Sequence, residues 1–232
     1  MKRYTNTTSS MKDQKLSVSR RHFVASATIA PLALGAAASL VPSSAQADVM
    51  KILEDDNVLG DTTAPIAIVE YASLTCGHCG NFHNNILHKI KKDFIDTGKA
   101  YLVYRDFPLD RWAFQASVLA HTAGKNRFFP ALEILYSKQP QWRDGGNITE
   151  DLAEIGKMLG VPRAKFDAAL EDQELGERIL MDRMVGNNEY GVDSTPSIFI
   201  NGERFNYYDH FTGDENREWI YEDVKGFLEK LL

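Results

Sequence analysis

Cys76 and Cys79 are the only cysteines in 232 residues, and they stand three apart in the stretch CGHC. Few chemistries use two thiols at that spacing. Zinc could take both, with His78 or His83, but a structural zinc site takes four ligands and the chain has no second CxxC. Covalent haem attachment needs CxxCH, and residue 80 is glycine. A purely structural bridge across so small a loop removes little chain entropy. The context favours the fourth chemistry, a redox pair that alternates between dithiol and disulfide. No metal site and no separate cofactor are expected, because the Cys76–Cys79 disulfide would itself be the redox group.

Such a pair works through a thiolate. A helix beginning at Cys76 leaves its first N–H groups unpaired and pointing at the sulfur. Those groups and the helix dipole favour negative charge there. Cys76 is therefore expected to be exposed and acidic, with a pKa in the range of roughly 3.5–7.5 seen for activated cysteines. Cys79, one turn further in, is expected to be buried and to resolve mixed disulfides. His78, when protonated, would add positive charge beside the thiolate. The other histidines (His22, His83, His88, His121 and His210) make no metal spacing, and His83 and His88 read as surface or packing positions on the same helix.

The motif sits where one periodicity gives way to another. Asp48–Gly60 reads as an extended lead-in, and Ala64-Pro65 forces an extended or turn conformation before the apolar run. Ile66, Ala67, Ile68, Val69 and Tyr71 form a short β-rich run typical of a buried central strand, with Glu70 inside it. After Cys76, apolar residues recur at helical spacing: Phe82, Ile86, Leu87, Ile90, Phe94 and Ile95. Gly98 is placed to stop that helix. Ala100–Phe107 is the next strand, so the unit is strand, helix, parallel strand.

From about Asp110 to Tyr190 the signals are helical: Arg111–Gly124, Phe128–Ser137, a helix capped by Thr149 and stopped by Gly160, one opened by Pro162, and Leu175–Asn188. The stretch is too long for a plain connection and reads as an inserted helical subdomain. Ser197–Ile200 and Glu203–Phe205 are strands joined by the hairpin turn Asn201-Gly202. Glu215–Leu232 is an amphipathic terminal helix, and the aromatic cluster Phe205–Phe211 reads as loop and edge packing. The order implies an α/β fold: a mixed sheet with helices on both faces.

Residues 1–47 read as an export signal. Six basic residues against one acidic precede an uncharged, alanine-rich run from Phe23 to Val41, and Ala45-Gln46-Ala47 offers a small-x-small cleavage site. Arg20-Arg21 in SRRHFVA fits the twin-arginine export pattern; a general secretory signal is the alternative. Export would allow the two cysteines to be disulfide-bonded. The whole chain carries a formal charge of −6 and residues 1–47 carry +5, which leaves −11 for residues 48–232. That balance gives no electrostatic reason to bind nucleic acid or an anionic membrane surface.

CGHC after its strand, together with STPSIFINGE at 194–203, resembles the thioredoxin superfamily. The helical insertion, LGDTTAPIAIVEYASLTCGHC and a glutamate six residues before the first cysteine make the chain similar to the DsbA family of exported thiol–disulfide oxidoreductases. The resemblance implies a thioredoxin-like fold over residues 48–232. It implies a nucleophilic Cys76, a resolving Cys79, a cis Pro196 facing them, a Thr195 backbone able to pair with a substrate strand, and a buried Glu70 that relays the Cys79 proton. Implied partners are unfolded or reduced exported proteins and a membrane oxidase of the DsbB type; a monomer is expected. Gly-His between the cysteines and threonine before the proline also occur in reductases and isomerases of this fold, so these remain rivals to an oxidase. A holdase chaperone that does not use its thiols is a third reading.

Overall fold

The computed structural model describes residues 49–206 and 219–232. The export-signal reading, residues 207–211 of the aromatic cluster and the start expected for the terminal helix lie outside the described residues. No helix among the described residues is long and apolar enough to cross a membrane.

A strand buried on both faces reads as a near-continuous apolar run, and β2 (Ile66–Ala72), interrupted only by Glu70, is such a strand at the centre of the sheet. It pairs in parallel with β3 (Ala100–Asp106), which places Glu70 opposite Tyr104, and antiparallel with β4 (Ser197–Ile200), which places Glu70 opposite Ile198. β5 (Glu203–Phe205) pairs with β4 across Asn201-Gly202, both at positive φ as the tight hairpin turn requires. On the far side β1 (Asn57–Leu59) pairs antiparallel with β3, giving the order β1-β3-β2-β4-β5. β1 lies within the expected extended lead-in, which the structure pairs with the sheet over three residues. It is held by Arg105, which reaches from β3 to Asp56 in a buried ion pair at 2.9 Å and donates to the carbonyls of Val49 and Lys51.

The helix after the motif, α1, runs continuously from Gly77 to Ile95, with α-helical stretches Gly77–Asn81 and His88–Ile90 alternating with π-helical Phe82–Leu87 and Lys91–Ile95. Its six expected core residues are all buried, and Gly98 ends it at φ +71°. They pack against Ile66 and Ile68 of β2 and against Val224 and Leu228 of the terminal helix. Side chains alternate across a strand, so Glu70 shares the α1 face with Ile66 and Ile68, while Val69 and Tyr71 face the opposite core with Val103 and Phe199. The terminal helix is Tyr221–Glu229.

Between β3 and β4 the chain is helical: α2 (Arg111–Thr122), α3 (Phe128–Ser137), α4 (Gln139–Arg143), α5 (Ile148–Met158), α6 (Arg163–Leu170) and α7 (Gln173–Tyr190). α4 had no expectation of its own. Thr149 is not the cap of α5: Asn147 accepts from Glu150 N, and the Thr149 hydroxyl instead donates to Gln115 Oε1 at 2.9 Å. Pro162 caps α6 rather than lying in its first turn. Trp142 and Phe166 anchor the helical core, which extends to Leu74 and Cys79 beside the motif.

Candidate active site

Cys76 occupies the N-cap of α1 in extended conformation (φ −76°, ψ 122°), so its side chain faces the helix's open N–H groups. The loop before it is held from outside. Gln139 Nε2 donates to Leu74 O at 2.7 Å and to Cys76 O at 2.9 Å, and Arg143 Nη1 reaches Thr75 O at 3.4 Å. Gly80 makes room for this clamp, since a Cβ there would lie 2.7 Å from Gln139 Oε1. The helical insertion thus helps to position the motif.

The two thiols are free and chemically unequal. Cys76 is partly exposed and its pKa is lowered to about 5. The Cys79 thiol hydrogen-bonded to its sulfur is the largest cause; the Thr195 side chain and the backbone N–H groups of Cys79 and His78 add to it, against burial. Cys79 is fully buried, and its pKa is pushed well above the ordinary value by that burial, by the hydrogen bond to Cys76, and by the charges of Cys76 and Glu70. The Thr195–Pro196 peptide is cis. Thr195 faces the motif, with Cys76 Sγ donating to its carbonyl oxygen at 3.2 Å. The Thr195 hydroxyl is buried and makes no hydrogen bond.

Cys76, Cys79 and Thr195 are therefore brought together, with Pro196 alongside. His78 is exposed, and it offers the sulfur its backbone N–H. Glu70 is fully buried rather than facing water. Its Oε2 bonds His83 Nε2 at 3.0 Å and its Oε1 has no hydrogen-bond partner. His83 is more than a packing residue: it stacks on Tyr136 at 4.1 Å and meets Tyr104 edge-on at 5.9 Å. Tyr104 and Tyr136 hydrogen-bond each other at 3.1 Å, and both have pKa values pushed up by burial first and by nearby negative groups next. The sequence signal for His83 was its spacing of four from Cys79, which puts both on one face of α1. Gln139 gave no signal. No group of three His, Cys, Asp or Glu that could hold a metal occurs among the described residues.

A family model described as thioredoxin matches residues 53–225. The chain belongs to the thioredoxin family. This thioredoxin-family chain is 28% identical to alpha-DsbA1 of Wolbachia pipientis, whose crystal structure superposes with a TM-score of 0.67 over 79% of this chain and 94% of that one. A Rickettsia bellii protein named as a protein-disulfide oxidoreductase is 33% identical over 68% of this chain. The match spans 61% of that protein's own length. Disulfide bond formation protein D of Bacillus subtilis is 28% identical over 73% of this chain and 77% of its own. The thioredoxin-like fold, with a mixed sheet flanked by helices and helices inserted between β3 and β4, accords with these likenesses.

Proposed function

We propose that this chain is an exported thiol–disulfide oxidoreductase that introduces disulfide bonds into other exported proteins. The observation that carries the reading is the unequal pair: a partly exposed Cys76 with its pKa held at about 5 beside a fully buried Cys79 whose pKa is pushed up. In the oxidised enzyme a substrate thiolate attacks Cys76 Sγ. The Cys76–Cys79 bond breaks, and Cys79 leaves with the electron pair and takes a proton. A second substrate thiolate then attacks the substrate sulfur of the mixed disulfide and expels Cys76 as a thiolate. The substrate leaves as a disulfide and the enzyme holds two more electrons. A leaving group that is stable as an anion speeds the last step and favours the reduced enzyme, which makes the disulfide an oxidant.

Thr195, whose carbonyl already faces Cys76, is the backbone against which a substrate strand would lie. The pattern of residues 1–47 supports export, and the excess of acidic residues from 48 onward supports protein rather than nucleic-acid partners. A membrane oxidase of the DsbB type would restore the disulfide, and the enzyme would act as a monomer without a metal or organic cofactor. Mixing the oxidised protein with a reduced, unfolded disulfide-containing protein tests the reading. One disulfide should form in the substrate for each enzyme disulfide consumed, and Cys76→Ser should abolish transfer. Full transfer by Cys76→Ser, or none by the unmutated protein, would remove it.

A further inference from the structure

Cys79 must gain a proton in one half of the redox cycle and lose it in the other, yet it is fully buried. Glu70 lies on the same face of the sheet, close enough for its charge to act on the Cys79 thiol. It is equally buried and cannot itself exchange with water. His83 Nε2, 3.0 Å from Glu70 Oε2, is the polar contact that leads away. It lies in the π-helical stretch of α1, where the widened turn re-aims side chains, a feature frequent at functional sites.

His83 also lines a cavity of about 270 Å³ between α1 and α3. Leu59, Leu87, Phe129 and Leu132 form apolar wall, and the exposed side chains of His88, Lys91 and Glu133 stand at its edge. Neither Glu70 nor Cys79 lines that space; His83 touches both it and the buried acid. The groups facing His83 are Glu70 from β2, Tyr104 from β3 and Tyr136 from α3, with Cys79 one turn back on α1 and Glu133, His88 and Lys91 around the cavity.

We propose that His83 is a positioning residue that relays the Cys79 proton between buried Glu70 and the cavity between α1 and α3. This rests on the redox reading of Cys76 and Cys79. When a mixed disulfide on Cys76 is resolved, the Cys79 thiol gives its proton to the Glu70 carboxylate. Glu70 passes a proton to His83 Nε2, and His83 releases one from Nδ1 to the cavity. The Cys79 thiolate then attacks Cys76 Sγ, forms the enzyme disulfide and expels the other thiol as its thiolate. In the opposite half-cycle the proton travels inward along the same groups.

The test loads Cys76 with a small thiol as a mixed disulfide and follows that thiol's release by Cys79. His83→Ala should slow release at neutral pH by about tenfold or more, since a well-placed proton-transfer group contributes roughly 10²–10⁴. Added imidazole, which fits the vacated end of the cavity, should restore the rate in proportion to its concentration. The Glu70→Gln, His83→Ala double variant should not respond to imidazole. His83→Gln, which keeps a donor to Glu70, should be slowed similarly while the pH profile of Cys76 alkylation stays in place. Release by either His83 variant within twofold of the unmutated rate overturns the proposal, as does a slow His83→Ala rate indifferent to imidazole. The assay uses no protein substrate. Normal release by an unmutated protein that cannot oxidise proteins would sink the proposed function and leave the relay standing.

Discussion

Replacing Cys79 with alanine removes the largest of the contacts that hold the Cys76 thiolate. The pKa of Cys76 is lowered from an ordinary 9.0 to about 5. At about 1.4 kcal/mol per unit this corresponds to roughly 5 kcal/mol of preference for the anion, or about 3 kcal/mol once solvent screening of a partly exposed thiol is allowed for. Four contacts share it: the Cys79 thiol, the Thr195 side chain, and the N–H groups of Cys79 and His78. Cys79→Ala leaves the three lesser ones, so Cys76 should titrate about one to two units higher than in the unmutated protein. Cys79→Ser keeps an O–H donor and should fall between. The assay is the rate of alkylation of Cys76 against pH, with the modified residue identified by mass. In Cys79→Ala a single thiol remains, so its ultraviolet thiolate absorbance gives an independent titration. A Cys79→Ala protein that titrates at or below the unmutated value would refute the assignment of the thiolate to this contact.

The depressed Cys76 pKa also makes the reduced protein's stability depend on pH. The contribution is fully present above the ordinary thiol value of 9.0 and is lost as pH falls through about 5. At pH 7 it should be about 2 kcal/mol after screening, read as the urea-unfolding difference between unmutated reduced protein and Cys76→Ser, and vanishing by about pH 4; a difference that grows on acidification would contradict it. Gln139→Ala should cost about 1–3 kcal/mol by leaving Leu74 O and Cys76 O without their donor. Gly80→Ala pushes the same amide aside, so the double variant should lose less than the sum of the singles; strict additivity in urea melts would show that the clamp has been misread. Asp56→Ala strands Arg105 in the buried ion pair beneath β1 and should destabilise by about 3–5 kcal/mol in the same assay, whereas a loss under about 1 kcal/mol would mean that Arg105 is solvated.

Local patterns carried much of the fold. The apolar run of β2, the helical spacing after Cys79, Gly98, Gly160 and the Asn201-Gly202 turn each encode their conformation within a few residues, and the observed strands and helices begin and end close to them. The pairing of β1 was not legible because its three residues, Asn57–Leu59, have no alternation to read, and what places them is β3, far away in sequence, with its Arg105 bonding Asp56 just before them. The α5 cap was decided between two good capping residues, Asn147 and Thr149, by a partner on another helix, Gln115. At the site, the inequality of Cys76 and Cys79 followed from the placement of one at a helix N-terminus and the other a turn inside. Glu70 stood out as an acid within an apolar strand. That it meets His83 depends on the face α1 turns towards β2, and that Gln139 clamps the motif depends on the docking of α4, neither of which a local pattern contains.

An oxidase needs a Cys76–Cys79 disulfide that takes electrons from other proteins. Equilibrating the purified protein against glutathione buffers and reading the fraction of reduced Cys76 and Cys79 gives the potential of the pair. A stabilised Cys76 thiolate predicts a value on the oxidising side, towards the roughly −120 mV of DsbA. A value near thioredoxin's, roughly −270 mV, would mean that the pair donates electrons, and would replace the oxidase with a reductase or isomerase.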